Sequence, residues 1–217
     1  MTRVAPFYGL SLAAGCVDAI SFLRFGDVFT ANMTGNTVLL GIAIASRVGL
    51  VSNGLGIGPP LLAIGGFVTG ASVTLPALRN GFDARRAALL VFAEAVLVAF
   101  AGSAFAIFHG QFVVALCIVL VSIAMGVQSI VAFKAGIPGI STTYVTGSLV
   151  TAVTSLFASG PHDERSRDAA RDALAWLAYL GGAALGTVLL ILFHSAALLP
   201  PVILFVILAA WFSRLRR

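Results

Sequence analysis

The residues best suited to bind a solute stand in two short polar stretches that interrupt an otherwise apolar chain. The first reads FTANMTGNTVLLG over residues 29–41, and the second reads ISTTYVTGSLV over residues 140–150. In each stretch a Thr-Gly step precedes an apolar run. This pattern predicts a helix whose first N–H groups are unpaired and whose N-terminus is partly positive. Such helix ends bind anions and carbonyl-bearing solutes.

The candidate substrate-binding residues in these stretches carry an amide or a hydroxyl, or are glycines that let a ligand approach the backbone. They are Asn32, Thr34, Gly35, Asn36 and Thr37 in the first stretch, and Thr143, Tyr144, Thr146, Gly147 and Ser148 in the second. The structural alternative is that Thr and Ser cap two short helices while the glycines permit close helix packing. The two interpretations are compatible with each other.

Two acidic residues, Asp18 and Glu94, fall inside apolar segments, where an ionisable group is costly and is a functional candidate by default. We predict that Asp18 binds substrate, a coupling proton or a cation, or that it holds Asn36 or a backbone N–H group in place. Glu94 is a second coupling candidate, and its structural alternative is a protonated acid bonded to a neighbouring backbone group. Gln128 and Ser129 occupy the corresponding polar position in the second half and complete the candidate substrate site.

The elements that must position these residues are membrane helices. The 217-residue chain is 59% hydrophobic and 10% charged, whereas soluble domains carry about 25% charged residues. Several apolar runs approach or exceed the ~20 residues that cross a bilayer core. We therefore predict an all-α integral membrane protein with these apolar segments: Pro6–Phe25, Met33–Ser46, Pro60–Leu78, Ala87–Phe108, Phe112–Phe133, Tyr144–Ser159, Ala173–Phe193 and Leu198–Ser213.

An internal repeat relates the first four segments to the last four. Three landmarks recur in the same order: Gly15, Thr34-Gly35 and GGFVTG (65–70) match Gly126, Thr146-Gly147 and GGAALG (181–186). The two repeats are residues 1–108 and 109–217, which we expect to form one structural domain. The second and sixth segments, which begin near the Thr-Gly steps, are too short to span a ~30 Å hydrocarbon core as helices.

The basic residues favour a topology in which these two short segments enter and leave the membrane on the same side. If all eight segments span and the N-terminus is cytoplasmic, eight of the 13 basic residues are cytoplasmic. If the short segments re-enter, Arg79, Arg85, Arg86 and Lys134 join that side and Arg47 leaves it, so that eleven lie there. Because positive loop residues stay cytoplasmic, we predict six full spans plus two re-entrant or half-spanning helices, with both termini cytoplasmic. Each half then has three full spans, so the repeats are inverted; the alternative is eight full spans and parallel repeats.

Other function classes lack support in the sequence. It contains no nucleophile elbow, HExxH, Walker A or Rossmann motif, so we predict no enzyme activity and no cofactor. No pair of histidines has metal-ligand spacing, so no metal is predicted. The net charge of +5 comes from basic residues at the ends of apolar runs, which argues against a nucleic-acid partner. The expected partners are the lipid bilayer and a small-molecule solute, and both a monomer and a homodimer stay open.

The pieces AGCVDAISFL, FTANMTGNTVLLG, AMGVQSIV and TTYVTGSLV, in order over residues 14–150, resemble the YoaK-like family of uncharacterised bacterial inner-membrane proteins. In that family a Val-Asp dipeptide, a Met-Thr-Gly-Asn step and a Thr-Tyr-x-Thr-Gly step recur, here at 17–18, 33–36 and 143–147. Relatives often have Asn after MGVQ, where this chain has Ser129. The resemblance implies a location in the bacterial plasma (inner) membrane and implies no established activity.

Two function classes follow from these observations. The first is a small secondary transporter or channel for a small polar or anionic solute, with its site near the membrane midplane between the two Thr-Gly steps. Many transporters built from inverted repeats with interrupted helices have this arrangement. The alternative is a membrane assembly or regulatory protein that transports nothing, which a stoichiometric protein partner would indicate.

Overall fold

The computed structural model of the chain describes residues 4–50, 55–136, 147, 149–150, 153–154 and 162–215, with side chains in the last range from residue 169. Regular structure among these residues is helical throughout. The helices are α1 (Ala5–Arg24), α2 (Met33–Arg47), α3 (Gly58–Thr74), α4 (Ala84–Ile107), α5 (Gln111–Ala135), α6 (His162–Phe193) and α7 (Leu199–Arg214). By length and composition five of them, α1 and α3 to α6, can cross a membrane, and α7 is a shorter apolar helix. The all-α prediction is confirmed.

The helix starts follow local signals in the sequence. Asp83 caps α4 by accepting the Arg86 N–H at 2.9 Å, and Asn32 caps α2 by accepting the Gly35 N–H at 3.1 Å. Proline occupies the first turn of α1, α3 and α7, where its missing N–H costs nothing. Helix α2 has 15 residues, about 22 Å of helix, so it is shorter than a bilayer core.

Two of the predicted segments need comment. Helix α6 begins at His162, so the polar stretch predicted to separate segments six and seven was wrongly assigned over residues 162–172. After Pro161 the sequence DERSRDAARDALA contains no proline or glycine and is rich in good helix formers, so the helix extends beyond its apolar part. The predicted segment Tyr144–Ser159 lies largely outside the described residues.

Helices α1 and α6 approach each other through glycines. A Cβ added to Gly182 would overlap the Leu12 carbonyl, and one added to Gly186 would overlap the Cys16 carbonyl. On the opposite side of the interface, Gly15 touches the Tyr179 carbonyl in the same way. Only glycine allows backbones this close, and contacts in the order 12–182 and 16–186 mean that α1 and α6 run parallel.

Helices α3 and α5 form a second interface of the same kind. Gly70 abuts the Ile123 carbonyl and Gly66 lies beside the Val119 carbonyl, while Gly126 of α5 abuts the Phe67 carbonyl. The order 66–119 and 70–123 shows that these two helices are also parallel. The predicted role of GGFVTG and GGAALG in helix packing is therefore confirmed.

The remaining pairs are antiparallel. On α1 and α7 the Phe7 and Phe212 rings pack with centroids 5.3 Å apart, and Gly9 faces Leu208. On α4 and α7, Gly102 faces Leu198 at one end, and a crevice at the other end joins residues 85–92 to residues 206–213. Helices α4 and α5 form a hairpin in which the Cys117 thiol donates to the Ala101 carbonyl at 3.3 Å. Helices α1, α4 and α6 therefore run in one direction, and α3, α5 and α7 in the other.

Helix α1 lies at the centre of this assembly, because most of its residues are buried. The outer helices leave apolar side chains exposed at helical spacing, as lipid-facing surfaces require. On α4 these are Leu89, Phe92, Val96 and Phe100. Cys16 and Cys117 are both buried, free thiols.

Candidate functional site

An extended segment, residues 25–32, separates α1 from α2 and turns back into the protein. The turn is made by Gly26 and Asp27, which have positive φ angles of 93° and 58°. Beyond it, Val28, Thr30 and Ala31 are buried. The chain thus places non-helical backbone against α1, inside the helix assembly, and α2 starts from this point.

Asp18 of α1 holds this segment by its backbone. Its Oδ1 accepts the N–H groups of Thr30 at 2.6 Å and Ala31 at 2.7 Å, and its Oδ2 accepts the N–H of Asn32 at 3.0 Å. The Thr30 hydroxyl also donates to Oδ1 at 3.3 Å and lies 3.3 Å from the Ser21 hydroxyl. Three consecutive backbone donors converge on one carboxylate that is 2% exposed. They provide the hydrogen bonds that a buried charge requires.

The second half of the chain contributes a donor to the same carboxylate. The Tyr179 hydroxyl of α6 donates to Asp18 Oδ2 at 2.5 Å. The ring reaches Asp18 because Gly15, one turn earlier on α1, lets the backbones of α1 and α6 touch beside Tyr179. The predicted role of Asp18 as a residue that holds a backbone N–H in place is confirmed.

Asn36 holds the segment from the α2 side. Its Oδ1 accepts the Phe29 N–H at 3.0 Å and its Nδ2 donates to the Phe29 carbonyl at 2.5 Å, so the side chain pairs with this residue as a neighbouring strand would. The Phe29 ring stacks on Phe22 of α1, with centroids 4.9 Å apart. Asn36 itself is buried, so its amide is committed to the backbone.

The first-half candidates that remain accessible are on α2. Thr34 and Thr37 are exposed, and the Thr37 hydroxyl donates to the Met33 carbonyl at 2.9 Å. Gly35 lies against the Phe29 ring, where a Cβ would come within 2.8 Å of it. Asn32 is partly exposed beyond its capping bond.

The second-half candidates are only partly described. Gln128 is fully buried, its Nε2 donates to the Leu10 carbonyl at 3.2 Å, and its Oε1 has no partner among the described residues. The Ser129 hydroxyl donates to the Met125 carbonyl at 2.8 Å. Gly147 occupies a helical position. The other candidates, Thr143, Tyr144, Thr146 and Ser148, lie outside the described residues.

The second coupling candidate, Glu94, is separate from this cluster. It is fully buried on α4, and neither of its carboxyl oxygens has a hydrogen-bond partner among the described residues. The predicted alternative, a bond to a neighbouring backbone group, is therefore wrong for the described part of the chain. The described residues also contain no group of three or more His, Cys, Asp or Glu side chains that could hold a metal ion.

Sequence reasoning missed two members of the site, Tyr179 and Thr30. Tyr179 immediately precedes the paired glycines of α6 by two residues, and a polar ring beside a close-packing motif was the available signal. Thr30 lies in the polar stretch that was selected, but its hydroxyl was not distinguished from its neighbours.

Comparisons with known proteins agree with the membrane character of the fold. The family model described as "Protein of unknown function (DUF1275)" matches residues 7–211. The chain is similar to the UPF0700 transmembrane protein YoaK of Bacillus subtilis (strain 168), with 38% identity over 186 residues, 80% of this chain and 78% of the relative. No solved structure matches the chain.

Proposed function

The chain belongs to the DUF1275 family of multi-pass membrane proteins of unknown function, and from this premise we propose that it is a small secondary transporter or channel. Its solute is small and polar or anionic, and its site lies near the membrane midplane where α2 begins. In this proposal the protein lies in the bacterial inner membrane with both termini cytoplasmic. That orientation keeps most of its basic residues on the cytoplasmic side.

The observation that carries the proposal is the buried break between α1 and α2. Asp18 lies six residues before the end of α1 at Arg24, so the segment bound to it reaches about 9 Å into the apolar layer. Non-helical backbone at that depth is tolerated where protein buries it or where it lines a wet cavity. Interrupted helices of this kind form the solute sites of many secondary transporters.

The helix directions support inverted repeats. Helices α1 and α5 are the first helices of the two halves, and they run in opposite directions. Helices α1 and α3 are also antiparallel, and Gly26 at the end of α1 lies 3.9 Å from Pro59 at the start of α3. The connection through α2 therefore starts and finishes near the same end of the assembly, as a re-entrant helix requires.

The glycine contacts support the repeat itself. Gly15 and Gly126, 111 residues apart, each touch a carbonyl on the partner helix, and those carbonyls, of Phe67 and Tyr179, are 112 residues apart. By the same offset Gly70 corresponds to Gly182. The alignment of GGFVTG with GGAALG used above, which pairs Gly66 with Gly182, is therefore shifted by one helical turn.

In the proposed site Asp18 orients the break and does not bind the solute directly, because both of its oxygens are occupied by protein donors. The solute-facing groups of the first half are Thr34 and Thr37, which are exposed on α2. We expect the second Thr-Gly step, Thr146-Gly147, to supply the groups of the other half. The same offset places Ser129 and Phe67 where the first half has Asp18 and Tyr179, so the two halves contribute unequally.

A thermal-shift panel followed by flux tests this proposal. Purified protein is mixed with inorganic phosphate, acetate, glycine, glucose or methylammonium, and any stabilising probe is then assayed for uptake into proteoliposomes. Thr37→Val should abolish stabilisation and uptake. Thr69→Val is the matched control, since Thr69 is also exposed and also donates to the carbonyl four residues earlier, but on α3. Uptake of every probe at the rate of empty liposomes would contradict the proposal and favour a protein-assembly role.

A further inference from the structure

Glu94 presents an unsolved problem in the described interior. It lies near the middle of α4 with an exposed fraction of 0%, and both carboxyl oxygens lack a hydrogen-bond partner among the described residues. An ionised carboxylate deprived of both water and donors is prohibitively costly, and such a group takes up a proton instead. The contrast with Asp18, whose oxygens accept several hydrogen bonds, is a contrast between a neutral and an ionised acid.

The surroundings of Glu94 offer no compensating charge. Its buried neighbours on α4 are Val91, Ala95 and Val98. On the elements packed against α4, the described titratable groups are one thiol, bonded to a carbonyl, and cations at helix ends: Cys117, Lys134, His194, Arg214 and, over the Phe105 ring, Arg24. No described cation is therefore positioned to stabilise a charge at residue 94.

Other buried polar atoms on the same hairpin also lack partners. Ser122 Oγ and Gln128 Oε1, both on α5, have no hydrogen-bond partner among the described residues. Helix α5 packs along α4. Buried polar groups are nearly always satisfied, by protein or by water. Unsatisfied oxygens on two adjacent helices indicate a path that is dry in this conformation and that water enters in another.

Two crevices between α4 and α7 lead toward this level from opposite ends. One reaches Phe92 from Arg85, and the other reaches Val98 from Ala106. The second has a volume of about 130 Å³, enough for several water molecules. Along α4, Glu94 lies between the inner ends of the two crevices. Access from one end at a time is what a carrier requires of a coupling site.

We propose that Glu94 is a proton-binding site that couples solute movement to a proton gradient. Glu94 holds a proton in this conformation and releases it to water when one crevice deepens. This inference rests on the proposed transport function but uses a residue outside the solute site. The step is a simple proton transfer: the carboxylic O–H bond breaks, the proton passes to water, and the carboxylate is re-protonated from the other side.

The protonation state is tested without any solute. Infrared spectroscopy of the purified full chain at neutral pH should show a protonated carboxyl band that is absent from Glu94→Gln and from Glu94→Leu. The control is Asp83→Asn, which removes the acid that caps the same helix and should leave the band unchanged. A wild-type spectrum identical to that of Glu94→Gln would overturn the inference.

The coupling is tested in proteoliposomes with a probe from the panel above. An inward proton gradient should raise uptake several-fold in the wild type, whereas Glu94→Gln should exchange solute at equal pH and gain nothing from the gradient. Uptake that ignores the gradient in the wild type, or an equal response in Glu94→Gln, overturns the coupling and leaves transport standing. If no probe moves at all, the transport function fails and the coupling fails with it, whatever the infrared band shows.

Discussion

Tyr179 donates its phenolic hydrogen to Asp18 Oδ2 at 2.5 Å, which joins α6 to α1 across 161 residues of sequence. The same carboxylate accepts the N–H groups of Thr30, Ala31 and Asn32. One buried acid therefore connects a helix from each half to the backbone of the break between α1 and α2. Hydrogen bonds to a charged acceptor are stronger than neutral ones, so we expect this cluster to set the stability of the break.

Removing the acceptor or its phenolic donor should lower stability to different degrees. Asp18→Asn places an NH₂ group against backbone or phenolic donors and should cost about 3–5 kcal/mol, as does breaking other buried charged clusters. Tyr179→Phe removes one hydrogen bond to a charged group and should cost about 1.5–3 kcal/mol. Chemical denaturation in detergent measures both. Tyr8→Phe, on the partly buried tyrosine of α1, is the control, and a loss equal to that of Tyr179→Phe would contradict the prediction.

Adjacent glycines of α6 should respond in opposite ways to alanine. In Gly182→Ala the new Cβ overlaps the Leu12 carbonyl, so α1 and α6 must separate, at a cost of about 1–3 kcal/mol. In Gly181→Ala the Cβ meets no atom within 4 Å, and better helix propensity should add up to about 1 kcal/mol. Thermal unfolding of the two variants should therefore move in opposite directions. A shared loss would mean that the close approach of these helices does not limit stability.

Replacing one polar atom of Asn36 should loosen the break. Asn36→Asp keeps an acceptor for the Phe29 N–H but turns the second oxygen, a negative one, toward the Phe29 carbonyl. We expect a loss of about 1–3 kcal/mol and faster amide hydrogen exchange over residues 29–37. Asn80→Asp makes the same chemical change at an exposed position and should alter neither. Unchanged exchange in Asn36→Asp would show that the reciprocal pair is not what holds the segment.

Side-specific thiol labelling in intact cells should separate the two topologies. After replacement of Cys16 and Cys117 by alanine, single cysteines are introduced as Leu50→Cys, beyond α2, and Leu215→Cys, beyond α7. A membrane-impermeant reagent should label the first and not the second, because a re-entrant α2 leaves Leu50 outside while the C-terminus is cytoplasmic. If both positions react alike, α2 spans the membrane and the repeats are parallel.

The parts of the fold that sequence reasoning reached are those determined locally. The predicted ends of segments two, five and eight lie within two residues of the ends of α2, α5 and α7, because the apolar runs there stop at polar or helix-breaking residues. The role of Asp18 followed from the cost of a carboxylate within an apolar run. Its N–H partners lie only 12 to 14 residues away in the chain.

The parts that escaped prediction depend on pairings between distant residues. Nothing local distinguishes Tyr179 from an interfacial tyrosine until α6 is known to lie against Gly15. The correspondence of Gly70 with Gly182 was missed because both motifs contain several glycines one turn apart, and only the contacted carbonyls identify the equivalent pair. Helix α6 was predicted too short because its polar first turns carry no apolar periodicity.

The exchange of glycine interfaces between the halves has a consequence for biosynthesis. Helix α1 packs on α6 and α3 packs on α5, so the first half leaves the ribosome without the partners of either helix. At translation rates of roughly 5–20 residues per second, α1 waits on the order of 10–30 seconds for Tyr179 to be made. During that interval the insertion machinery or a chaperone must shelter Asp18. A nascent chain that stops short of α6 should be recognised by membrane quality-control proteases rather than persist as half a protein.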